Sequence, residues 1–204
     1  MKEENTNTKE RIQEEALKLF AQLGYKSVSI RDISKQVGIK ESSIYYHYKN
    51  KQAILDAIIE QAEAMTYQLE ERFNHAFSKT CQLEEDAFCQ VAVAFFEGYL
   101  LNPYVYSLLM MLSIERLSDI KSAKVYQKMM FELPLEKQTQ IFAEMMEKGL
   151  IQEGDARSLA YAYYSIIYLA FEKNCMGMEK NKGDREQAVR EIEIGILNLF
   201  RKMR

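Results

Sequence analysis

Tryptophan is absent from this chain of 204 residues, and proline occurs only twice and glycine eight times. Tight turns usually consume proline or glycine, so their scarcity excludes a turn-rich β architecture and favours long helices. Cysteine and histidine are also sparse, at three and two residues. Cys81, Cys89 and Cys175, with His47 and His75, contain no pair at metal-ligand spacing, and an odd cysteine count argues against a disulfide framework. No metal site and no cofactor are expected, and the thiols read as reduced ones. The most apolar run, Leu159 to Phe171, falls short of the roughly 20 residues a spanning helix needs. The opening MKEENTNTKE is polar and carries no leader-like apolar stretch. A soluble, cytoplasmic protein is expected, with no membrane partner. No glycine-rich phosphate loop, nucleophile elbow or ligand cluster occurs, and His75 beside Glu70 and Glu71 reads as helix surface. An enzyme is not expected.

What is present is ordinary globular material, 48% hydrophobic and 28% charged, in a chain long enough for a real core. Its charge is unevenly divided. Residues 1–51 hold ten Lys/Arg against seven Asp/Glu, whereas residues 52–204 hold seventeen against twenty-three. A basic head on an acidic body suits a protein that meets a polyanion at one end.

Helical periodicity runs through the chain. After an expected irregular arm over residues 1–7, Ile12, Ala16, Leu19, Phe20 and Leu23 share one face from about Thr8. Gly24 stops that helix. Ser29 is placed to cap a short second helix with Ile30, Ile33 and Val37 inward, and Gly38 ends it. A third helix begins near Lys40 or Glu41 with Ile44 inward. Two short helices joined by a glycine turn and braced by a longer one describe a helix-turn-helix over residues 8–51. The remainder, residues 52–204, reads as a larger helical body. Its expected helices run from Lys51 to Phe77, Leu83 to Leu101, Tyr104 to Leu117, Ile120 to Lys148 with a bend or break at Pro134, Ala156 to Lys173, and Arg185 to Lys202. The fold class is therefore all-α.

The stretch KESSIYYHYKNK, Lys40 to Lys51, mixes three tyrosines, a histidine and three lysines. A head of about fifty residues cannot bury all of these rings. An exposed basic-aromatic helix after a tight turn fits a DNA major groove, with hydroxyls, imidazole and lysines reaching phosphates. A solvated helix with some tyrosines tucked against its neighbours is the plainer reading of the same residues.

The run from SVSIRDISKQVGI through KESSIYYHYKNK resembles the DNA-binding domain of the tetracycline-repressor (TetR) family of bacterial transcription regulators. Ser29, Ile33, Gly38-Ile39, Ile44-Tyr45, His47-Tyr48, Lys49 and Lys51 fall where that family's pattern asks. The resemblance covers about Thr8 to Leu55. It departs at Lys40, where a Ser or Thr cap is usual, and at Ser34, where alanine is usual. The resemblance implies that Ser29, Arg31, Ser43, Tyr45, His47 and Lys51 approach the phosphate backbone. It assigns base readout to Lys40, Glu41, Ser42 and Tyr46, of which Lys suits guanine and Glu suits cytosine.

In the body, Val189, Ile192, Ile196, Leu199 and Met203 recur at three- and four-residue steps, a helix-meeting seam. The preceding helix is apolar nearly all round, with Leu159, Tyr163 and Ile166 on one side. Intrachain packing accounts for this pattern; the resemblance implies that both helices also pair with their copies in a homodimer. Aromatic and methionine residues concentrate between head and seam. Phe95, Phe96, Tyr99, Tyr106, Met110, Met130, Tyr164 and Tyr168 suit the lining for a bulky apolar effector, and equally suit a helical core. Glu97 and Glu115 interrupt apolar runs and could hold a cationic group or face solvent. The expected function is a ligand-responsive regulator, chiefly a repressor, reading a palindromic operator as a homodimer. The alternatives are an activator, or a DNA-binding module whose body binds a protein partner.

Overall fold

The computed structural model describes the backbone of residues 2–78, 84–177 and 182–203, and the side chains of residues 7–65, 84–177 and 183–203. Cys81 lies outside the described residues, as does the side chain of His75. Among the described residues there is no strand. The α-helices are α1 (Lys2–Leu23), α2 (Ile30–Val37), α3 (Glu41–His47), α4 (Lys51–Ser78), α5 (Glu85–Phe95), α6 (Pro103–Glu115), α7 (Ile120–Gln127), α8 (Leu133–Glu147), α9 (Ala156–Cys175) and α10 (Lys182–Met203). No described helix is long and apolar enough to cross a membrane. Helix α1 begins at Lys2 rather than near Thr8, since nothing in the polar opening breaks a helix.

The chain divides into two compact units. The first contains residues 1–65 and 103–126, so α6 and α7 join the head, where α6 packs along α1. Its core holds Ile12, Ala16, Phe20, Ile33, Ile44, Ile54 and Ile58, all fully buried. The second contains residues 66–102 and 127–204, built on the packing of α9 against α8 and α10 and of α10 against α5.

Two five-residue stretches, Phe96–Leu100 after α5 and Lys128–Glu132 before α8, widen to π-helical turns. Pro134, in the first turn of α8, gives a physical cause for the second. Proline has no N–H to donate to the carbonyl four residues back, and its ring crowds that carbonyl. The carbonyl in question is that of Met130, and the buried Tyr164 hydroxyl donates to it instead. Similarly, Tyr99 Oη donates to Met129 O at 2.7 Å. Two tyrosine hydroxyls thus find their hydrogen bonds on the irregular backbone that the proline creates.

Helices α9 and α10 meet closely at Gly195. A Cβ there would lie 2.6 Å from Ile166 Cγ2, so any larger residue would force the helices apart.

Candidate nucleic-acid interface

Local chemistry fixes each end of α2. Ser29 Oγ accepts from the Asp32 N–H at 3.2 Å, while Asp32 Oδ2 accepts from the Ser29 N–H at 2.8 Å, a reciprocal capping box. The Ser29 hydroxyl also donates to Asp32 Oδ2. These bonds to its charged form hold the Asp32 carboxyl below the usual carboxylate range. At the other end Gly38 adopts φ +77°, a left-handed conformation costly for any residue bearing a Cβ. Its N–H and that of Ile39 then reach Ser34 O at 3.0 Å, closing the helix. The turn is braced from α1, where Arg11 Nη2 donates to Val37 O at 3.0 Å.

From this turn α3 emerges with only Ile44 fully buried. Lys40 stands at its N-cap without a side-chain cap bond, as the departure from the family pattern foretells. Lys40, Glu41, Ser42, Tyr45 and Tyr46 are exposed, Tyr45 at 53% and Tyr46 at 75%. An exposure that large on adjacent rings has no packing benefit to explain it. Ser43 and His47 are half-buried, and the Tyr46 and His47 rings meet edge to face at 5.1 Å. Burial, then the nearby Lys9 charge, lowers the His47 pKa, so the imidazole is neutral at pH 7. Tyr48 turns inward, and burial lifts its hydroxyl to about 12. Arg31 is exposed at the start of α2.

Lys51 differs from its neighbours. Its Nζ donates to Tyr25 O at 2.7 Å and Val28 O at 2.6 Å, and sits 4.4 Å from the centre of the Tyr25 ring. Burial lowers its pKa, with the Glu115 charge opposing the shift. Two of its three N–H groups therefore hold the α1–α2 loop. Glu115, only 7% exposed, completes the brace by accepting from the Tyr25 N–H at 3.1 Å. Lys26 Nζ adds a bond to Ser118 Oγ at 2.9 Å. Sequence reasoning singled out Glu115 as an interruption of an apolar run but missed its partner, because residues ninety apart carry no mutual signal. Glu97, its counterpart in that reading, forms a half-exposed ion pair with Arg185.

In the second unit, Phe95, Tyr99, Tyr164 and Tyr168 form a chain of ring contacts with centroids 5.3–6.3 Å apart. Phe96 and Met130 are fully buried, and the Met130 carbonyl accepts from the Tyr164 hydroxyl. Tyr106 and Met110 belong to the first unit, on α6. Along α9 and α10, Tyr163, Ile192 and Ile196 are buried within this one chain, so they offer no surface to a second copy. The reason is the Gly195 contact and the packing of α10 on α5 and α9, which uses that stripe internally. Leu159, Ile166, Val189 and Leu199 are half-buried, and the exposed apolar residues on these helices are Tyr161, Leu169 and Ile194.

Residues 12–58 match the sequence model of the bacterial regulatory proteins of the tetR family. Over 52 residues the chain is 44% identical to IcaR of Staphylococcus epidermidis, the negative transcriptional regulator of the biofilm operon icaADBC, covering 26% of this chain and 28% of IcaR. Over 76 residues it is 34% identical to the HTH-type transcriptional regulator AcrR of Shigella flexneri, covering 37% of this chain and 35% of AcrR. The matches thus span about a third of these relatives. A structure from Mesorhizobium loti assigned to the TetR family superposes with a TM-score of 0.78 at 16% identity, over 97% of each chain. At that identity the likeness concerns the fold alone.

Proposed function

Residues 12–58 belong to the tetR family of bacterial regulatory proteins, and from that premise we propose that the chain is a cytoplasmic transcriptional repressor. It reads a palindromic operator as a homodimer and is released by a small, largely apolar effector. One observation carries this reading: α3 projects Glu41, Ser42, Tyr45 and Tyr46 into solvent from a turn held by Gly38 and Arg11. A helix so presented fits the major groove, with phosphate contacts setting its register.

Ser43, Tyr45, His47 and Arg31 lie against phosphates in this reading, while Lys40, Glu41, Ser42 and Tyr46 face base edges. The neutral His47 serves as a hydrogen-bonding group rather than a fixed charge. Lys51 contributes its one remaining N–H to a phosphate, and its main work is bracing the loop before α2. Dimer contacts come from Leu159, Ile166, Val189 and Leu199 together with the exposed Leu169 and Ile194. Effector binding near Phe95, Tyr99, Tyr164 and Tyr168 favours a state in which the two heads no longer match successive major grooves, with α4 as the hinge. A coupling of about 2–3 kcal/mol lowers operator affinity roughly thirty- to hundredfold.

The test is capture of fragments of the source genome on purified protein, followed by a salt wash and sequencing. An enriched palindrome supports a dimeric operator-specific regulator. Salt-sensitive retention without enrichment removes operator specificity from the reading. At the residue level, Lys51→Ala weakens binding to all sequences alike. A salt slope reduced by about 1 places Lys51 on a phosphate; an unchanged slope confines it to the loop.

A further inference from the structure

Among its described residues, the second unit contains one polar side chain that its own packing does not explain. Gln138, on α8, is 6% exposed, and neither its Nε2 nor its Oε1 has a hydrogen-bond partner. A buried carboxamide without partners costs on the order of 1–3 kcal/mol. Buried polar groups are overwhelmingly paired, so each exception asks for a reason.

The reason lies in what Gln138 faces. It lines a cavity of about 40 Å³ walled by Phe88 of α5, Phe142 of α8 and Tyr163 of α9. Those three rings touch one another, with centroids 5.5–6.2 Å apart. Val91, Phe95 and Ile141 complete the lining and are half-exposed, which makes them the mouth. No charged residue lines the cavity. Its walls therefore repel a bare charge and accept an apolar body, and its polar groups are the Gln138 carboxamide, one donor group beside one acceptor, and the hydroxyl of Tyr163.

We propose that this cavity is the recognition point for the effector's polar end, and that the effector carries a neutral carboxamide or lactam on an apolar body. This rests on the effector-responsive reading above and specifies the chemistry of its site. An amide presents an N–H and a carbonyl oxygen side by side, so it satisfies Gln138 Oε1 and Nε2 together. A hydroxyl satisfies them one at a time. A carboxylate offers no donor and brings a charge that the aromatic walls do not compensate. The volume holds only the amide head, and the body lies along Val91, Phe95 and Ile141. Phe95 continues into the ring contacts with Tyr99 and Tyr164, so the mouth opens beside the aromatic residues assigned to the effector.

The test uses full-length protein and three probes of equal chain length: hexanamide, 1-hexanol and hexanoate. Binding is read from the side-chain amide resonances of Gln138, assigned by their loss in Gln138→Met. The expected result is saturable movement of those resonances by hexanamide, with an affinity at least tenfold above either other probe. In Gln138→Met, followed by the ring-proton shifts of the same cavity, that preference disappears. Equal affinities, a preference for hexanoate, or no binding of hexanamide overturns the proposal. So does a preference that survives in Gln138→Met, or a Gln138 amide that exchanges magnetisation with bound water and ignores all three probes. The two readings fail separately. Operator enrichment without hexanamide binding removes this site and leaves the regulator, whereas hexanamide binding without enrichment leaves the site and removes the regulator.

Discussion

The two units treat a buried polar side chain in opposite ways. In the first, Glu115 is buried but accepts a backbone N–H from Tyr25, while Lys51 nearby donates to two carbonyls of the same loop. In the second, Gln138 is equally buried and bonds to no protein group. Polar burial in the head serves to fix one conformation of the loop leading into α2. The body's polar burial is left incomplete. A completed network specifies a structure, whereas an incomplete one is stabilised by whatever completes it. The difference is the one expected if the proposed DNA-reading head is rigid and the proposed effector-binding body is receptive.

The largest effect expected from breaking this comparison is in the head's core. Ile44→Ala truncates the one fully buried side chain of α3, and costs about 2–5 kcal/mol. Hydrogen exchange of α2 and α3 amides reads this loss directly; protection that stays unchanged would mean α3 is held by something other than Ile44. Next comes the brace. Glu115→Ala leaves the Tyr25 N–H without its acceptor and costs about 1–3 kcal/mol, while Glu115→Gln, which keeps an acceptor, costs less. A thermal melt of both variants checks the order, and equal losses would shift the role of Glu115 from hydrogen bonding to charge.

Gln138→Met is expected to act in the other direction. It replaces an unpartnered carboxamide by an apolar chain of similar size, and stabilises the unbound protein by about 1 kcal/mol. A lowered melting temperature would show that Gln138 is satisfied in solution, and would dissolve the contrast between the units. The smallest effect concerns pH. The His47 pKa is lower in the folded state, so its contribution to stability is fully present above the unfolded value of 6.5 and is lost as pH falls through it. In the proposed operator complex the sign is opposite, since a phosphate beside His47 would favour the protonated ring. Affinity is expected to rise as pH drops from 7 toward 5.5 in the wild type and to lose that dependence in His47→Gln; fluorescence titrations at several pH values decide it.

The head was readable because its signals are local. Ser29 and Asp32 are three residues apart, and Gly38 stands where only a left-handed residue closes the helix. Ile33 and Ile44 follow from helical period alone. The Lys51 brace was not readable, since the carbonyls it holds are those of Tyr25 and Val28, and a lysine at a helix start looks the same whether it faces a phosphate or a loop. In the body the helices were legible and their faces less so. Ile192 and Ile196 recur at seam spacing, but periodicity states only that a stripe is buried, not what buries it. Gln138 gave no signal at all, because it sits in the polar run EKQTQ that reads as a solvated face.

The sequence by itself determined an all-helical fold, the positions of its glycine stops and caps, and the basic-aromatic helix proposed to meet DNA. Each of these follows from interactions within a few residues, where spacing alone sets geometry. Tertiary structure decided the rest. It paired Glu115 with the loop ninety residues away, turned the α10 stripe inward at Gly195, answered the Met130 carbonyl freed by Pro134 with the Tyr164 hydroxyl, and buried Gln138 among three rings. Those outcomes depend on which helix faces meet, and a linear pattern does not contain that information.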